Sequence, residues 1–148
     1  MLLDAQLLLS DGQAVTATAN STNIVDTGAA RDPGAGESLT FVVEVTTAVT
    51  ASGGATVTFT LESATEPTFA SPTQLFSTGP VAKTVLTLGA KPVVAAVPPG
   101  AQRYLRVVYT VATGPLTAGA FTAGLSLVGA HDEALRPAYG HGLLGSAA

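Results

Sequence analysis

The residues best suited to chemistry lie near the carboxyl end, where His131, Asp132 and Glu133 are followed by His141. Imidazoles and carboxylates are common metal ligands and common acid–base groups. Both roles require a scaffold that holds the side chains in a fixed geometry. Residues 131–148 instead contain Pro137, several glycines and no alternating apolar pattern. We therefore predict a tail that is flexible or ordered only by a partner, without a metal site.

Paired carboxylates are the second candidate, because two acids can hydrolyse a glycosidic bond. Glu62 and Glu66 are four residues apart, but Glu62 lies on the polar side of an alternating run and Glu66 precedes Pro67 in a predicted loop. The chain has no Trp, the residue that most often forms a platform for sugar rings. We interpret both acids as solvated surface groups.

Nucleophilic and phosphate-binding patterns do not occur in the chain. There is no Gly-x-Ser-x-Gly turn, and Gly34 and Gly36 are not followed by the Lys-Ser/Thr of a phosphate loop. These glycines indicate a bend before Leu39, and Arg31-Asp32 just ahead of it can bridge either to a neighbouring subunit or to a loop of the same chain. We predict that the protein is not an enzyme and has no catalytic, cofactor-binding or metal-binding residues.

The composition is poor in charge. Charged residues make up 11% of the 148 residues and the net charge is −4, against roughly 25% charged residues in ordinary domains. The six basic residues are scattered, so nucleic-acid binding is not expected. Surface charges oppose association between protein molecules, and this chain has few of them. We therefore infer that other subunits cover part of the surface. A genome-wide bias toward Ala, Gly and Val is the equally weighted alternative.

We expect neither a membrane-spanning segment nor a signal peptide in this sequence. No apolar run reaches the ~18–20 residues of a membrane helix, and Asp4 interrupts the apolar start of the chain, which lacks a basic residue. The sequon Asn20-Ser21-Thr22 therefore has no secretory context. The chain has no Cys, which excludes disulfides and thiolate sites. We expect synthesis in the cytoplasm and no membrane partner.

Short alternating runs predict an all-β fold. Alternate residues point to one face in four runs, and seven or eight strands are expected, as in a sandwich or barrel. Ala51-Ser52-Gly53-Gly54 separates the first two runs and predicts a hairpin. Other strands are expected at 15–18, 74–77, 81–88 and 93–97. The inward residues of the four runs are Leu39, Phe41, Val43 and Val45; Ala55, Val57, Phe59 and Leu61; Leu105, Val107, Tyr109 and Val111; and Phe121, Ala123, Leu125 and Leu127.

The predicted organisation is one sandwich with two distinct ends. Residues 14–130 form the sandwich, residues 1–13 form an arm or an outer strand, and residues 131–148 form the tail. Since a sandwich leaves strand edges that a partner's segment can pair with, we hypothesise that either end provides such an arm.

Several segments, in this order and spacing, resemble the Bbp16-like phage virion proteins. The resemblance covers roughly residues 1–128, whereas the tail from Ala130 departs from the family pattern. The matching segments are Ser10–Ala14, Thr16–Thr18, Ser21–Asp26, Gly28–Asp32, Ser71–Gly79, Pro98–Gly100, Arg103–Arg106, Tyr109–Gly114 and Phe121–Leu125.

This resemblance implies a jelly-roll cement protein on the outside of the icosahedral head of a tailed phage. Its partners would be the major capsid protein and further copies of itself, as a homodimer or homotrimer that clamps neighbouring shell subunits. The resemblance brings no catalytic residues and no cofactor.

A carbohydrate- or receptor-binding sandwich on a virion surface is the alternative. It predicts an aromatic patch or a calcium site of clustered oxygens. The chain has eight Phe and Tyr residues, no Trp, and dispersed acids, so we rank this function second and an enzyme third.

Overall fold

A computed structural model describes residues 7–27 and 39–126 of the chain. Within these ranges, ten strands form two antiparallel sheets that face each other across one apolar core, and no α-helix occurs there. The antiparallel β-sandwich predicted from the alternating pattern is thereby confirmed. The predicted tail (131–148), the bend at Gly34 and Gly36, and the Arg31-Asp32 pair lie outside the described residues.

The strands are β1 Leu8–Ala14, β2 Ala19–Asn20, β3 Val25–Asp26, β4 Thr40–Thr50, β5 Thr56–Ala64, β6 Thr73–Ser77, β7 Val81–Ala82, β8 Val93–Ala96, β9 Tyr104–Ala112 and β10 Ala118–Ser126. The first sheet has four strands in the order β1-β10-β4-β8, and the second has the order β2-β9-β5-β6. Strand β3 pairs with β9, strand β7 pairs with β5, and a one-turn 3-10 helix spans Lys83–Val85.

The core is centred on three aromatic rings that join the two sheets. Phe121 of β10 stacks on Tyr109 of β9 with centroids 5.3 Å apart, and Phe59 of β5 meets Phe121 edge-on at 5.1 Å. Offset and edge-on pairs are the favourable arrangements of aromatic rings. The alternating residues predicted to face inward are buried wherever they are described, except Val111, which is partly buried.

The predicted hairpin at residues 51–54 is wrong. Strand β4 belongs to the four-stranded sheet and β5 to the other, so residues 51–55 cross between sheets. Gly53 and Gly54 do not adopt the positive φ of a tight hairpin turn. The error has a physical cause: alternation shows which residues face the core, but two strands on opposite sheets face the same core with the same pattern.

Two other strand predictions need correction. The chain leaves its strand at Ala82 and turns through Lys83–Val85, and Leu86 is the one fully buried residue between positions 81 and 88. Residues 15–18 form bends between β1 and β2, because the chain passes there from one sheet to the other. The predicted strands at 74–77 and 93–97 are confirmed within one residue.

Candidate interaction surfaces

The two acids considered for glycoside hydrolysis have different surroundings. Glu62 follows the inward-facing Leu61, so its side chain lies on the outer face of β5, where it accepts a hydrogen bond from Arg106 Nε at 2.9 Å. Glu66 is exposed in the loop between β5 and β6. Glu62 thus belongs to an ion pair across the neighbouring strands β5 and β9.

Arg106 also holds a loop against the sheet. Its guanidinium carbon lies 4.3 Å from the ring centroid of Phe69, which is buried although it belongs to the loop between β5 and β6. Phe69 has φ +51°, an unusual value for a residue other than glycine. Arg106 is 44 positions from Glu62, so the sequence gives little indication of their ion pair. The only signal for the Phe69 contact is an aromatic residue in a polar loop.

A second, more exposed ion pair joins β3 to β9. Arg103 donates to both carboxylate oxygens of Asp26, at 2.8 and 3.1 Å, and its guanidinium lies 5.0 Å from the ring centroid of Tyr104. The hydrogen bond to Asp26 raises the pKa of Arg103, against a smaller lowering from desolvation. Both side chains are well exposed, so solvent screens the pair and its contribution to stability is small.

One lateral side of the sandwich carries three of the four large apolar side chains that are exposed within residues 7–27 and 39–126. We call it the basic edge and define it as residues 83–96. It includes β8 and the segment before it, which continues along β4: Val45 donates to Ala90 O at 2.8 Å and Val49 donates to Leu86 O at 3.0 Å. Its exposed apolar residues, with their exposed fractions, are Val85 (58%), Leu88 (70%) and Val94 (51%).

The charges of the basic edge have one sign. It contains Lys83 and Lys91, and no Asp or Glu occurs anywhere between residues 67 and 130. Lys83 is half-buried and donates through Nζ to Ala51 O, whereas Lys91 is exposed. The edge therefore combines apolar side chains with a positive charge that faces solvent.

The opposite lateral side carries an acidic side chain and one exposed apolar side chain. We call it the acidic edge and define it by Asp11 and Ile24. Asp11 is exposed on β1, and Ile24 is 42% exposed in the link between β2 and β3. This link lies against β1, since Asn23 N donates to Leu9 O at 3.0 Å. Strands β1 and β8 are the two outer strands of the same sheet, so the basic and acidic edges are at opposite ends of it.

An open depression of about 300 Å³ adjoins the basic edge. Aliphatic and hydroxyl side chains form most of its lining, and its one ionisable group, Lys83, already donates to a carbonyl. The depression therefore holds no acid–base pair. Its lining residues are Ala48, Val49, Thr50, Ala51, Lys83, Thr84, Leu86 and Thr87.

Neither a metal cluster nor a membrane-spanning helix occurs in the part of the chain that the structure describes. No group of three or more His, Cys, Asp or Glu residues in ranges 7–27 and 39–126 could hold a metal ion. His131, Asp132, Glu133 and His141 lie beyond these ranges. In the same ranges, no helix has the length and apolar character needed to cross a membrane.

Comparison with known proteins identifies a family. No curated protein matches the chain. The model of the Bbp16 family matches residues 9–125, which include all the strands except one residue at each end. The chain therefore belongs to the Bbp16 family.

Proposed function

We propose that this protein is a structural component of a tailed-phage virion that decorates and cements the outside of the icosahedral head. It acts as a homo-oligomer that clamps neighbouring major capsid subunits. The observation that carries this proposal is the basic edge, where Val85, Leu88 and Val94 are exposed along one side of a well-packed sandwich. Membership of the Bbp16 family and the resemblance to phage virion proteins agree with it.

A clamp needs surface that can be buried at low cost. Burying an unpaired charge is expensive, whereas Val, Leu, Ala and Thr lose little on leaving water. A standard interface buries about 1,200–2,000 Å². Because many copies act together on one shell, each individual contact can be weak and the assembly still stable. A charge-poor sandwich with apolar edges suits this role.

We also propose that the sandwich is of the jelly-roll type. With β2 and β3 taken as one strand position, and β6 and β7 as another, the chain has eight positions. The first lies beside the eighth, the second beside the seventh, the third beside the sixth and the fourth beside the fifth. This pairing supports a jelly roll, since it is the pattern that results when one long antiparallel ribbon is rolled into two sheets.

Decoration is tested by adding the purified protein to phage heads that lack it. We expect the protein to sediment with the heads and to raise their melting temperature. Heads that already carry the protein are the matched control, because their sites are occupied and they should take up no more. Failure to bind bare heads at saturating concentration would contradict the proposal, and binding to a glycan array in its place would favour the carbohydrate-binding alternative.

A further inference from the structure

We propose that residues 1–6 fold back over the outer face of the four-stranded sheet and cover an apolar strip on it. This inference goes beyond the proposed function and does not depend on it. The strip crosses the sheet from one outer strand to the other. We call it the outer strip, and it consists of Leu8 of β1, Gly124 of β10, Val42 of β4 and Val94 of β8.

The strand register sets the members of the outer strip side by side. Leu8 pairs with Gly124, which pairs in turn with Val42. On its other side Val42 pairs with Val94. Paired residues of antiparallel strands point to the same face of the sheet. Phe41, next to Val42 in β4, is buried in the core, so Val42 and its partners point away from the core.

The middle of the outer strip is buried although it lies on the outside of the sandwich. Val42 is 4% exposed, Gly124 is buried, and Thr40, two residues before Val42 on the same face, is 3% exposed. Within residues 7–27 and 39–126, no strand or helix lies over this face, because the two sheets meet on its other side. A segment outside these ranges therefore covers it. Thr40 Oγ1 is buried without a hydrogen-bond partner, so the atoms that cover this hydroxyl offer no hydrogen bond.

The pattern of exposure shows from which side the cover comes. Val94, on the outer strand β8, is 51% exposed, whereas Leu8, on the opposite outer strand β1, is partly buried. The cover therefore lies over β1, β10 and β4 and ends before β8. Residues 1–6 come one residue before β1. Neighbouring strands are about 4.8 Å apart, so Val42 is about 10 Å across the sheet from Leu8, within reach of six residues at about 3.3 Å each.

Side-chain chemistry selects residues 1–6 as the segment that covers the outer strip. They begin with Met1-Leu2-Leu3, three large apolar side chains. A glycine inside a strand leaves a gap where another segment can approach closely, and Gly124 opens such a gap in the middle of the strip. Residues 28–38 have no apolar side chain other than Ala and Pro, so they would fill it poorly. The tail, residues 131–148, also contains leucines and is the alternative that the experiment decides.

The reactivity of one thiol measures the cover, because the chain has no Cys of its own. In V42C the thiol should react slowly with a soluble aromatic disulfide. Adding L2D/L3D should speed this reaction about tenfold or more, since the reactivity of a thiol follows its exposure. The matched control is L143D/L144D, which adds the same two charges to a leucine pair of the tail and should leave the rate unchanged.

Two further measurements make the thiol rates interpretable. V94C, at the exposed end of the outer strip, should react rapidly with and without L2D/L3D. Urea denaturation of each variant shows that it is folded, and rates measured well below its midpoint report local exposure rather than global unfolding. An equal V42C rate with and without L2D/L3D, or a faster rate with L143D/L144D in its place, would overturn the proposal.

Disulfide formation identifies the covering segment directly. Two cysteines join only when their Cα atoms come within about 7 Å. Oxidation should therefore close a disulfide within one chain in L2C/V42C or L3C/V42C, and none in L144C/V42C, as mass spectrometry of the non-reduced protein shows. A disulfide in L144C/V42C, or in none of the three variants, contradicts the assignment to residues 1–6. A product of doubled mass shows that the segment comes from a neighbouring copy, which overturns the fold-back within one chain.

Discussion

The hydroxyl of Tyr109 in β9 donates a hydrogen bond to Ser10 Oγ in β1, at 2.8 Å, and so joins the two sheets inside the core. Ser10 Oγ donates in turn to Gln13 Oε1 at 2.7 Å, and Gln13 Oε1 also accepts a hydrogen bond from Thr22 N at 2.9 Å. This chain of hydrogen bonds closes the side of the sandwich that carries the acidic edge. Burial raises the pKa of Tyr109 from 10.0 to about 12, against a smaller lowering by the Ser10 contact.

Because of this tyrosine, the free energy of unfolding should depend on pH in the alkaline range. The unfolded chain ionises Tyr109 near its ordinary pKa of 10.0, while the folded protein keeps it neutral to about 12. The contribution of Tyr109 is therefore fully present below pH 10 and is lost as the pH rises toward 12. Each unit of pKa difference corresponds to about 1.4 kcal/mol. We expect urea denaturation to show a fall of about 2–3 kcal/mol in the free energy of unfolding over this window.

Tyr109→Phe provides the control for the pH dependence. It removes the ionisable group but keeps the ring that stacks on Phe121. We expect a loss of about 1 kcal/mol at neutral pH from the missing hydrogen bond and a clearly flatter profile between pH 10 and 12. An equal fall in wild type and variant would show that lysines or other groups cause the dependence.

Thr113 stores strain in the turn after β9. It is exposed and has φ +64°, and Gly114 beside it has φ +93°. Left-handed backbone costs a β-branched residue roughly 1–2 kcal/mol, so Thr113→Asn or Thr113→Gly should raise the free energy of unfolding by about 0.5–1 kcal/mol. Gly114→Ala is the opposite change and should lower it. Thermal denaturation measures both, and a destabilised T113N would contradict the strain.

Two glycines with ordinary φ provide a packing test. A Cβ at Gly119 in β10 would lie 3.2 Å from Val49 Cγ2 and 3.5 Å from Val15 O, whereas a Cβ at Gly54 would meet nothing within 4 Å. We therefore expect Gly119→Ala to destabilise the protein by about 1–3 kcal/mol. Gly54→Ala should be neutral or slightly stabilising, because it restricts the unfolded chain. Similar melting temperatures for the two variants would rule out close packing at Gly119.

The sequence predicts the layers of this fold better than its connections. The alternation around Phe41, Phe59, Tyr109 and Phe121 identifies four inward faces correctly, since burial of large apolar side chains dominates there. It does not distinguish a hairpin from a link between sheets. It also predicts one strand over residues 81–88, whereas only Val81–Ala82 pair with β5 and the chain from Leu86 onward bonds to β4.

The interaction surfaces are harder to predict, because they depend on which distant segments become neighbours. The basic edge contains its apolar and basic residues within a few positions of one another, so its composition is visible in the sequence. The acidic edge is not visible in this way, because the link that carries Ile24 is held against β1 by the hydrogen bond from Asn23 N to Leu9 O. The cluster at His131 lies outside the described residues, and our expectation for it stays a prediction.

The final prediction concerns the unit formed by Glu62, Arg106 and Phe69. Arg106→Met removes the cation above the Phe69 ring and leaves the half-buried Glu62 carboxylate without its partner. We expect a loss of about 1–3 kcal/mol and faster proteolysis within the loop, residues 65–72. The double variant R106M/E62Q should recover part of the stability, because the unpaired charge is gone, but not the protection of the loop, which depends on the guanidinium. Recovery of both, measured by urea denaturation and by the rate of loop cleavage, would show that the unpaired Glu62 charge, and not the loss of the guanidinium, releases Phe69.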